Sequence, residues 1–325
     1  MSAGPPARRR RVAAGYAARV PSRVAILPSE QGRKLIGPPP DGVTVVLWRP
    51  TDPPPAEAAE AGFWVPEYLG KDGLVEQLAA LPKLEVVQLT TAGADAFVGL
   101  VPDGVTLCDA RGVHGGSTAE WVLTAVLASL RNFPEFVRLQ ERHQWDQKFT
   151  GELAGKRVLV VGAGDVGESI RRRMLPFDTT VTMVARTARA DAHGVEELPA
   201  LLPEHDVVIV VVPLTDATRG LVDAAFLARM ADGALFVNAS RGPVADTDAL
   251  LAELRSGRLH AAVDVTDPEP LPADHPLWDA PNLLLTPHVG GAVAGFPVRA
   301  YALIRRQLER WVAGEPLENV VRDGY

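Results

Sequence analysis

A glycine-rich segment in the middle of the chain constrains the fold more than any other feature. Four apolar residues, 158–161, run directly into the pattern G-x-G-x-x-G at Gly162, Gly164 and Gly167, and a helical pattern follows to residue 174. This order predicts a buried strand, a tight turn and the start of a helix. Free N–H groups at that end of a helix attract phosphate, so we expect a dinucleotide to bind here. A glycine turn without a ligand is the alternative, and the flanking strand and helix disfavour it.

Length and charge limit the kinds of protein that this chain could be. Its 325 residues, 47% of them hydrophobic, predict two domains rather than one core. A net charge of −7 argues against a nucleic-acid partner. Cys108 is the only cysteine, which excludes an internal disulfide and fits a reducing compartment. No segment has the roughly 18 consecutive apolar residues of a membrane helix, so we expect a cytoplasmic protein without a membrane partner.

The first 22 residues differ in composition from the rest of the chain. They are rich in alanine, arginine and proline, and the run Arg8 to Arg11 precedes every acidic residue. We predict a flexible extension over residues 1–22. An organelle transit peptide has a similar composition and stays open as the alternative.

Short apolar runs alternate with helical patterns from residue 23 onward. Strands of nearly continuous valine and leucine are typical of a parallel sheet buried on both faces, and alternation with helices predicts a doubly wound α/β fold. We predict a doubly wound parallel Rossmann sheet over residues 116–291, the dinucleotide-binding domain. A second, smaller flavodoxin-like α/β domain over residues 23–115 and 292–325 is expected to bind the substrate.

The expected elements follow from these patterns. The helix over 117–130 is expected to take Ser117 as its N-cap, and the helix over 297–311 is expected to pack back on the smaller domain. A further helix is predicted over 74–81. The predicted strands cover residues 24–27, 43–47, 86–89, 105–107, 158–161, 181–184, 207–212, 235–238, 261–265 and 283–285.

Three charged or titratable residues follow late strands, where open α/β sheets bind their ligands. They are Arg241, Glu269 and His288. A guanidinium binds a carboxylate and polarises a keto oxygen, and an imidazole donates a proton to that oxygen as hydride arrives. A carboxylate beside the imidazole favours its charged form. The set therefore predicts reduction of a 2-keto acid.

Each of the three residues has a plainer explanation when it is considered alone. Arg241 fits a surface arginine beside a turn, Glu269 fits a solvated loop charge between two prolines, and His288 fits a structural histidine at a strand end. Their order after a dinucleotide motif favours the catalytic interpretation of the whole set.

Five motifs stand in order along the chain. They are G-A-G-D-V-G at 162–167, V-V-P-L-T at 211–215, N-A-S-R-G at 238–242, D-V-x-x-x-E-P at 264–270 and T-P-H-V-G-G at 286–291. In these motifs the chain resembles the D-isomer-specific 2-hydroxyacid dehydrogenases, in particular the glyoxylate/hydroxypyruvate reductase type, from about residue 75 to 315.

The resemblance implies roles for individual residues. It implies Arg241 as the substrate anchor, His288 as the proton donor and acceptor, and Glu269 as the partner of that histidine. It also implies that the backbone N–H groups of Ala92 and Gly93 receive the substrate carboxylate, and we predict no metal site. The glycine motif and the resemblance together give these predicted cofactor-binding residues: Gly162, Gly164, Asp165, Val166, Gly167, Arg186, Thr187, Val212, Pro213, Thr218, Ala239, Ser240, Asp264 and Gly290.

The residues after the second strand of the nucleotide domain predict the cofactor. An NAD enzyme carries Asp or Glu about 20 residues past the glycine motif, whereas this chain has Ala185-Arg186-Thr187 there. An arginine pairs with a 2′-phosphate and a threonine hydroxyl hydrogen-bonds to it. We predict a preference for NADP(H), and NAD(H) stays open as an accepted cofactor.

The sequence thus predicts an NAD(P)-dependent D-2-hydroxyacid dehydrogenase acting on a small 2-keto or 2-hydroxy acid. One alternative is a nucleotide-sensing regulatory protein of the corepressor kind, which would bind the cofactor without turnover. The other is a phosphoglycerate dehydrogenase, for which a basic cluster including Arg111 would be needed. The resemblance implies a homodimer. The apolar helix over 117–130 fits a place in the dimer interface and burial within one subunit equally well.

Overall fold

Two parallel β-sheets with helices on their faces make up the protein in the computed structural model, which describes residues 23–70 and 72–322. The extension predicted over residues 1–22 lies outside the described residues. In the described ranges the first sheet has five strands: β1 (Arg23–Leu27), β2 (Val43–Leu47), β3 (Ala61–Trp64), β4 (Val86–Gln88) and β5 (Thr106–Cys108).

The first sheet has the order β2-β1-β3-β4-β5, and its two faces pack against different helices. Successive residues of a strand point to opposite faces. Ile26 and Trp64 therefore join one core cluster, while Ala25 and Phe63 join another. The helices beside this sheet are α1 (Glu30–Ile36), α2 (Leu74–Ala79) and α9 (Phe296–Ala313).

The second sheet contains the glycine-rich strand and is the larger of the two. Its strands are β6 (Arg157–Val161), β7 (Thr180–Ala185), β8 (His193–Gly194), β9 (Val207–Val210), β10 (Leu235–Asn238), β11 (His260–Val263) and β12 (Leu283–Leu285). Its helices are α3 (Gly115–Leu130), α4 (Phe133–Glu141), α5 (Asp165–Met174), α6 (Leu198–Leu201), α7 (Ala224–Arg229) and α8 (Thr247–Ser256). Single 3-10 turns cover Ala56–Glu60, Leu175–Phe177, Val195–Glu197, Leu202–Glu204, Gly242–Val244 and Pro276–Asp279.

Burial on both faces of β6 explains its unbroken apolar sequence. Val158 and Val160 pack in one cluster with residues of α3 and α5, and Leu159 and Val161 pack in the other with residues of α7 and α8. The strand order β12-β11-β10-β9-β6-β7-β8 reverses direction between β6 and β9. Ligands of such sheets bind at the carboxyl ends of the strands beside this reversal. The predicted doubly wound parallel fold is confirmed.

The chain passes from the first sheet to the second and returns. β1–β5 lie within residues 23–115 and β6–β12 within 116–291, while the domain boundaries themselves stay a proposal. α9 comes back to the first sheet, as expected, and contributes Ile304, Leu308 and Trp311 to its core. Over the described ranges, the helices include none with the length and apolar character needed to cross a bilayer.

The structure corrects several local predictions. α3 begins at Gly115, so the prediction of Ser117 as its N-cap is wrong, and the Ser117 hydroxyl instead donates to the His114 carbonyl within the first turn (3.0 Å). A Cβ on Gly115 would overlap the Asp165 carboxylate, so this position needs glycine although glycine is a poor helix former. Strand β3 and helix α1, near the proline clusters, escaped the sequence prediction, as did the two-residue β8.

Candidate active site

The glycine loop after β6 has the shape that the sequence predicts. Gly162 has a φ of 120°, a region that L side chains rarely adopt, and a Cβ there would lie 2.5 Å from the Val211 carbonyl oxygen. A Cβ at Gly167 would overlap the Gly162 carbonyl, so this position needs glycine for the close approach of α5 to the strand. A Cβ at Gly164 would meet nothing within 4 Å. The loop therefore has an open face at the start of α5, which fits the pyrophosphate of a dinucleotide.

A long groove runs from this loop along the carboxyl ends of β6, β7 and β9. Its far wall comes from the connection between β4 and β5 and includes Phe97 and Val105. Of the predicted cofactor-binding residues, the groove is lined by Gly162, Gly164, Arg186, Val212, Pro213 and Thr218.

Other predicted cofactor residues lie beneath or beside the groove. The Asp165 carboxylate accepts a hydrogen bond from the Gly112 N–H (3.2 Å), which holds this side chain against the loop before α3. Val166 packs against the core, and Thr187 is exposed after β7. Ala239 and Ser240 follow β10, where the Ser240 hydroxyl donates to Asn238 (2.6 Å).

An arginine not included among the predicted cofactor residues closes one side of the glycine loop. Nη2 of Arg189 donates to the Ala163 carbonyl oxygen (2.9 Å), and its Nε pairs with Asp191 (2.8 Å). Arg186 lines the groove on the same side. Two guanidinium groups thus stand after β7, where NAD-specific folds of this kind carry a carboxylate.

Arg241 lies between the two sheets, in the turn that follows β10. Its Nε pairs with the carboxylate of Asp95 (3.0 Å), which belongs to the first sheet's unit, the segment 23–115 that contains β1–β5, and its Nη1 donates to the Ser240 carbonyl oxygen (2.8 Å). A Cβ on Gly93 would overlap Nη2. The guanidinium is therefore held by two bonds while Nη2 faces the loop of Ala92 and Gly93, which was predicted to receive a carboxylate.

His288 follows β12 and pairs with Glu269. Nδ1 of His288 lies 2.7 Å from Oε1 of Glu269, and the two side chains are about one fifth and one third exposed (22% and 32%). His288 has a φ of 55°, in the left-handed region that is costly for a residue with a side chain, by about 1–3 kcal/mol. Bonding of Nδ1 to a carboxylate leaves Nε2 as the nitrogen available to a ligand.

Asp264 holds the backbone around His288 in this unusual conformation. Its carbonyl oxygen accepts from the His288 N–H (2.7 Å), and its carboxylate accepts from the N–H groups of Val289 (2.8 Å) and Gly290 (2.7 Å). Thr286 donates to the same carboxylate and accepts from the Trp121 indole. The buried Asp264, which was predicted to bind the cofactor, thus anchors the backbone of His288 and the two residues that follow it.

Arg241 and His288 line a single pocket at the carboxyl ends of the strands. Its other walls are the loop 89–97 and the loop 66–70, both from the first sheet's unit. The structure therefore brings the predicted anchor, the predicted proton donor and the predicted Ala92-Gly93 loop together.

Two aromatic residues near the pocket were not among the predicted site residues. Tyr68 packs against Phe296 (ring centroids 4.4 Å apart), and burial raises its pKa, with Asp264 adding to the effect and Arg241 opposing it. The second residue is His114, whose Nε2 lies 2.7 Å from the Thr90 carbonyl oxygen. Burial disfavours its charged form and therefore lowers its pKa. An aromatic residue shortly after a strand end was the only available signal for Tyr68.

Comparison with known proteins agrees with this geometry. The model of the family described as "D-isomer specific 2-hydroxyacid dehydrogenase, NAD binding domain" matches residues 123–290. A glyoxylate reductase of Thermofilum pendens is 32% identical over 257 residues, covering 74% of this chain and 75% of that protein. A formate dehydrogenase of Arabidopsis thaliana is 32% identical over 236 residues, and the match spans 68% of this chain and 62% of that longer protein.

A solved structure shares the whole architecture. The D-isomer specific 2-hydroxyacid dehydrogenase of Xanthobacter autotrophicus Py2, crystallised with NADPH and MES, superposes with a TM-score of 0.82 at 31% identity, covering 93% of this chain and 98% of that one. Fold, glycine loop, family model and relatives agree with the resemblance read from the five motifs. The chain belongs to the D-isomer specific 2-hydroxyacid dehydrogenases and is an NAD(P)-dependent oxidoreductase.

Proposed function

We propose that this protein reduces a short 2-keto acid, such as glyoxylate, to the 2-hydroxy acid, with the D configuration wherever C2 of the product is a stereocentre, and with NADP(H) preferred over NAD(H). The observation that carries the proposal is the shared pocket of Arg241 and His288, which adjoins the loop of Gly93. The glyoxylate reductase among the relatives supports this substrate class. The reaction consumes one keto acid, one reduced cofactor and one proton, and yields the hydroxy acid and the oxidised cofactor.

The chain's own residues bind the substrate and move the proton. Nη2 of Arg241 and the N–H groups of Ala92 and Gly93 bind the substrate carboxylate and orient the keto group. Nε2 of His288 donates a proton to the keto oxygen, and the Glu269 carboxylate stabilises the charged imidazole that precedes this step. The bound cofactor supplies the hydride to the carbonyl carbon.

The cofactor preference rests on the residues after β7. No acidic residue occupies positions 184–187, and Arg186 lines the groove. A 2′-phosphate pairs with guanidinium groups and would be repelled by a carboxylate at this place. The relative crystallised with NADPH supports the same preference.

We further propose that two copies associate through the second sheet's unit, which we assign as the dinucleotide-binding domain of residues 116–291. Support comes from the large apolar side chains exposed on and after α4. Phe133 and Val137 are more than half exposed, and Trp145 and Phe149 are almost fully exposed (96% and 104%). Exposed apolar groups of this size are typical of interfaces.

The replacement His288→Ala tests the proposal. Loss of the proton donor should lower kcat by about 10²–10⁴-fold, measured as NADPH oxidation with glyoxylate and a panel of 2-keto acids. NADPH binding, followed by fluorescence, should change little. His193→Ala is a matched control, because His193 also pairs with a glutamate (Glu197, 2.8 Å) but lies on the exposed surface.

Two results would contradict the proposal. Near-parental turnover in His288→Ala would exclude His288 as the acid. Cofactor binding by the parent protein without turnover of any 2-keto acid would favour a nucleotide-sensing regulatory protein.

A further inference from the structure

The described side chains of the substrate pocket include more carboxylates than arginines and lysines, which affects the charge that a bound substrate can carry on its own side chain. Among the described residues that line it, Arg241 is the only arginine or lysine, whereas Glu67 and Asp95 are both carboxylates. The remaining walls are largely apolar, with Leu69, Leu89 and Phe97 among them. The pocket thus has one permanent cation for two acidic side chains before any substrate enters.

Arg241 already pairs with Asp95, so its guanidinium can bind one carboxylate of a substrate but not a second anion on the same molecule. Asp95 pairs with its Nε at 3.0 Å, and both side chains are about four-fifths buried (22% and 19% exposed). The remaining guanidinium edge, at Nη2, faces Gly93. One substrate carboxylate satisfies that edge, so a second carboxylate or a phosphate on the same substrate would face Glu67 and apolar walls without a counter-ion.

Glu67 is the acidic residue of this pocket to which the described part of the chain provides no counter-ion. It lies three residues after β3, at the carboxyl edge of the first sheet, and its side chain is exposed. Within residues 23–70 and 72–322, no lysine, arginine or histidine forms an ion pair with it. Its charge therefore acts on whatever occupies the pocket, reduced by solvent screening.

We propose that Glu67 makes the enzyme select substrates by the charge of their side chain. This inference rests on the proposed keto-acid reduction. The pocket accepts 2-keto acids with one carboxylate and a neutral or hydroxylated side chain. It rejects dicarboxylates and phosphorylated acids, because their distal anion lies near Glu67. A hydroxyl at the same position donates a hydrogen bond to the carboxylate instead.

Two substrates that differ only in the distal group measure this discrimination. 2-Oxopentanoate and 2-oxoglutarate have the same five-carbon chain, and only the second has a terminal carboxylate. In the parent protein, kcat/KM with NADPH should favour 2-oxopentanoate. Glu67→Gln keeps the size of the side chain and removes its charge, and it should lower that preference about tenfold, equivalent to about 1.4 kcal/mol. Glu67→Lys should lower it further.

A matched variant controls for a general change in surface charge. Glu57 is exposed and precedes β3, at the opposite edge of the same sheet. Glu57→Gln removes the same charge and should leave the ratio of the two kcat/KM values at the parental value. NADPH binding, followed by fluorescence, verifies that each variant is folded.

The outcomes separate this inference from the function on which it rests. Turnover of 2-oxopentanoate with a ratio that responds to Glu67→Gln and not to Glu57→Gln supports both. Turnover with equal ratios in all variants, or a parent protein that prefers 2-oxoglutarate, overturns the role of Glu67 and leaves keto-acid reduction intact. Absence of turnover with glyoxylate and both test substrates overturns the proposed function and the inference with it.

Discussion

The single substitution Gly93→Ala should lower kcat/KM by on the order of 100-fold or more while leaving the fold intact. The added Cβ would overlap Nη2 of Arg241 and lie 2.5 Å from its Cζ. Ordinary contacts of a Cβ begin at about 3.4 Å, so Cζ of the guanidinium has to move by about 1 Å and Nη2 by about 2 Å. That displacement stretches the bonds of Arg241 to Asp95 (3.0 Å) and Ser240 (2.8 Å) and misplaces Nη2 for the substrate carboxylate.

The size of the effect follows from this displacement. A misplacement of about 1 Å in a group that positions the substrate already costs on the order of 100-fold in rate, or about 2.7 kcal/mol of transition-state stabilisation, so the larger shift of Nη2 should cost at least this much. The stability of the fold should change by less than about 1 kcal/mol. The clash is with the tip of a long side chain, and replacing glycine lowers the entropy of the unfolded chain in compensation.

Two measurements check this pair of expectations. Steady-state kinetics with glyoxylate and NADPH give kcat/KM, and denaturant titration gives the free energy of unfolding. Gly116→Ala is the control, because a Cβ there meets its nearest neighbour, Nη2 of Arg173, at 3.4 Å. The reasoning is refuted if Gly93→Ala retains kcat/KM within about threefold of the parent, or if its loss of activity is matched by unfolding.

Two further predictions concern the cofactor and the pH dependence of stability. Arg186→Asp should shift the ratio of kcat/KM for NADPH over NADH toward NADH by about 10–100-fold, since charge-assisted hydrogen bonds contribute about 1.5–3 kcal/mol; an unchanged ratio would contradict our assignment. Burial lowers the pKa of His114 in the folded protein, so the unfolded chain takes up more protons as the pH falls below about 6.5. The Tm should therefore fall between pH 7.5 and pH 5.5, and His114→Gln should reduce that fall; an equal fall in both proteins would exclude His114 as a cause.

The parts of the fold that local sequence patterns determine were predictable. β6 and its glycine loop follow from four apolar residues, three spaced glycines and a helix, all within one short segment. β3 was not predictable from its own sequence, since Ala61–Trp64 is only four residues long and follows proline-rich loops. Its place in the sheet depends on pairing with β1 and β4, which are far away in the sequence.

In the candidate site, too, local sequence patterns predict some features, whereas others depend on tertiary contacts. Arg241, Glu269 and His288 each follow a strand, so their approximate location follows from the rule for open sheets. The pairing of Arg241 with Asp95 joins residues 146 positions apart, and no local pattern reports it. The contribution of Glu67 and Tyr68 also depends on how the first sheet's loops face the second sheet, which is a property of tertiary packing.

Helix α9 closes the core of the first sheet although it is the last helix to be synthesised within the described chain. Roughly 190 residues separate the end of β5 from the start of α9, which at about 5–20 residues per second is a delay of roughly 10–40 s on the ribosome. During this interval the apolar face that contains Ala25 and Phe63 has no Ile304, Leu308 or Trp311 to cover it. Since the strands of the second sheet are contiguous in sequence, we expect that sheet to complete its core before the first sheet does, which leaves the apolar face of the nascent first sheet exposed to aggregation.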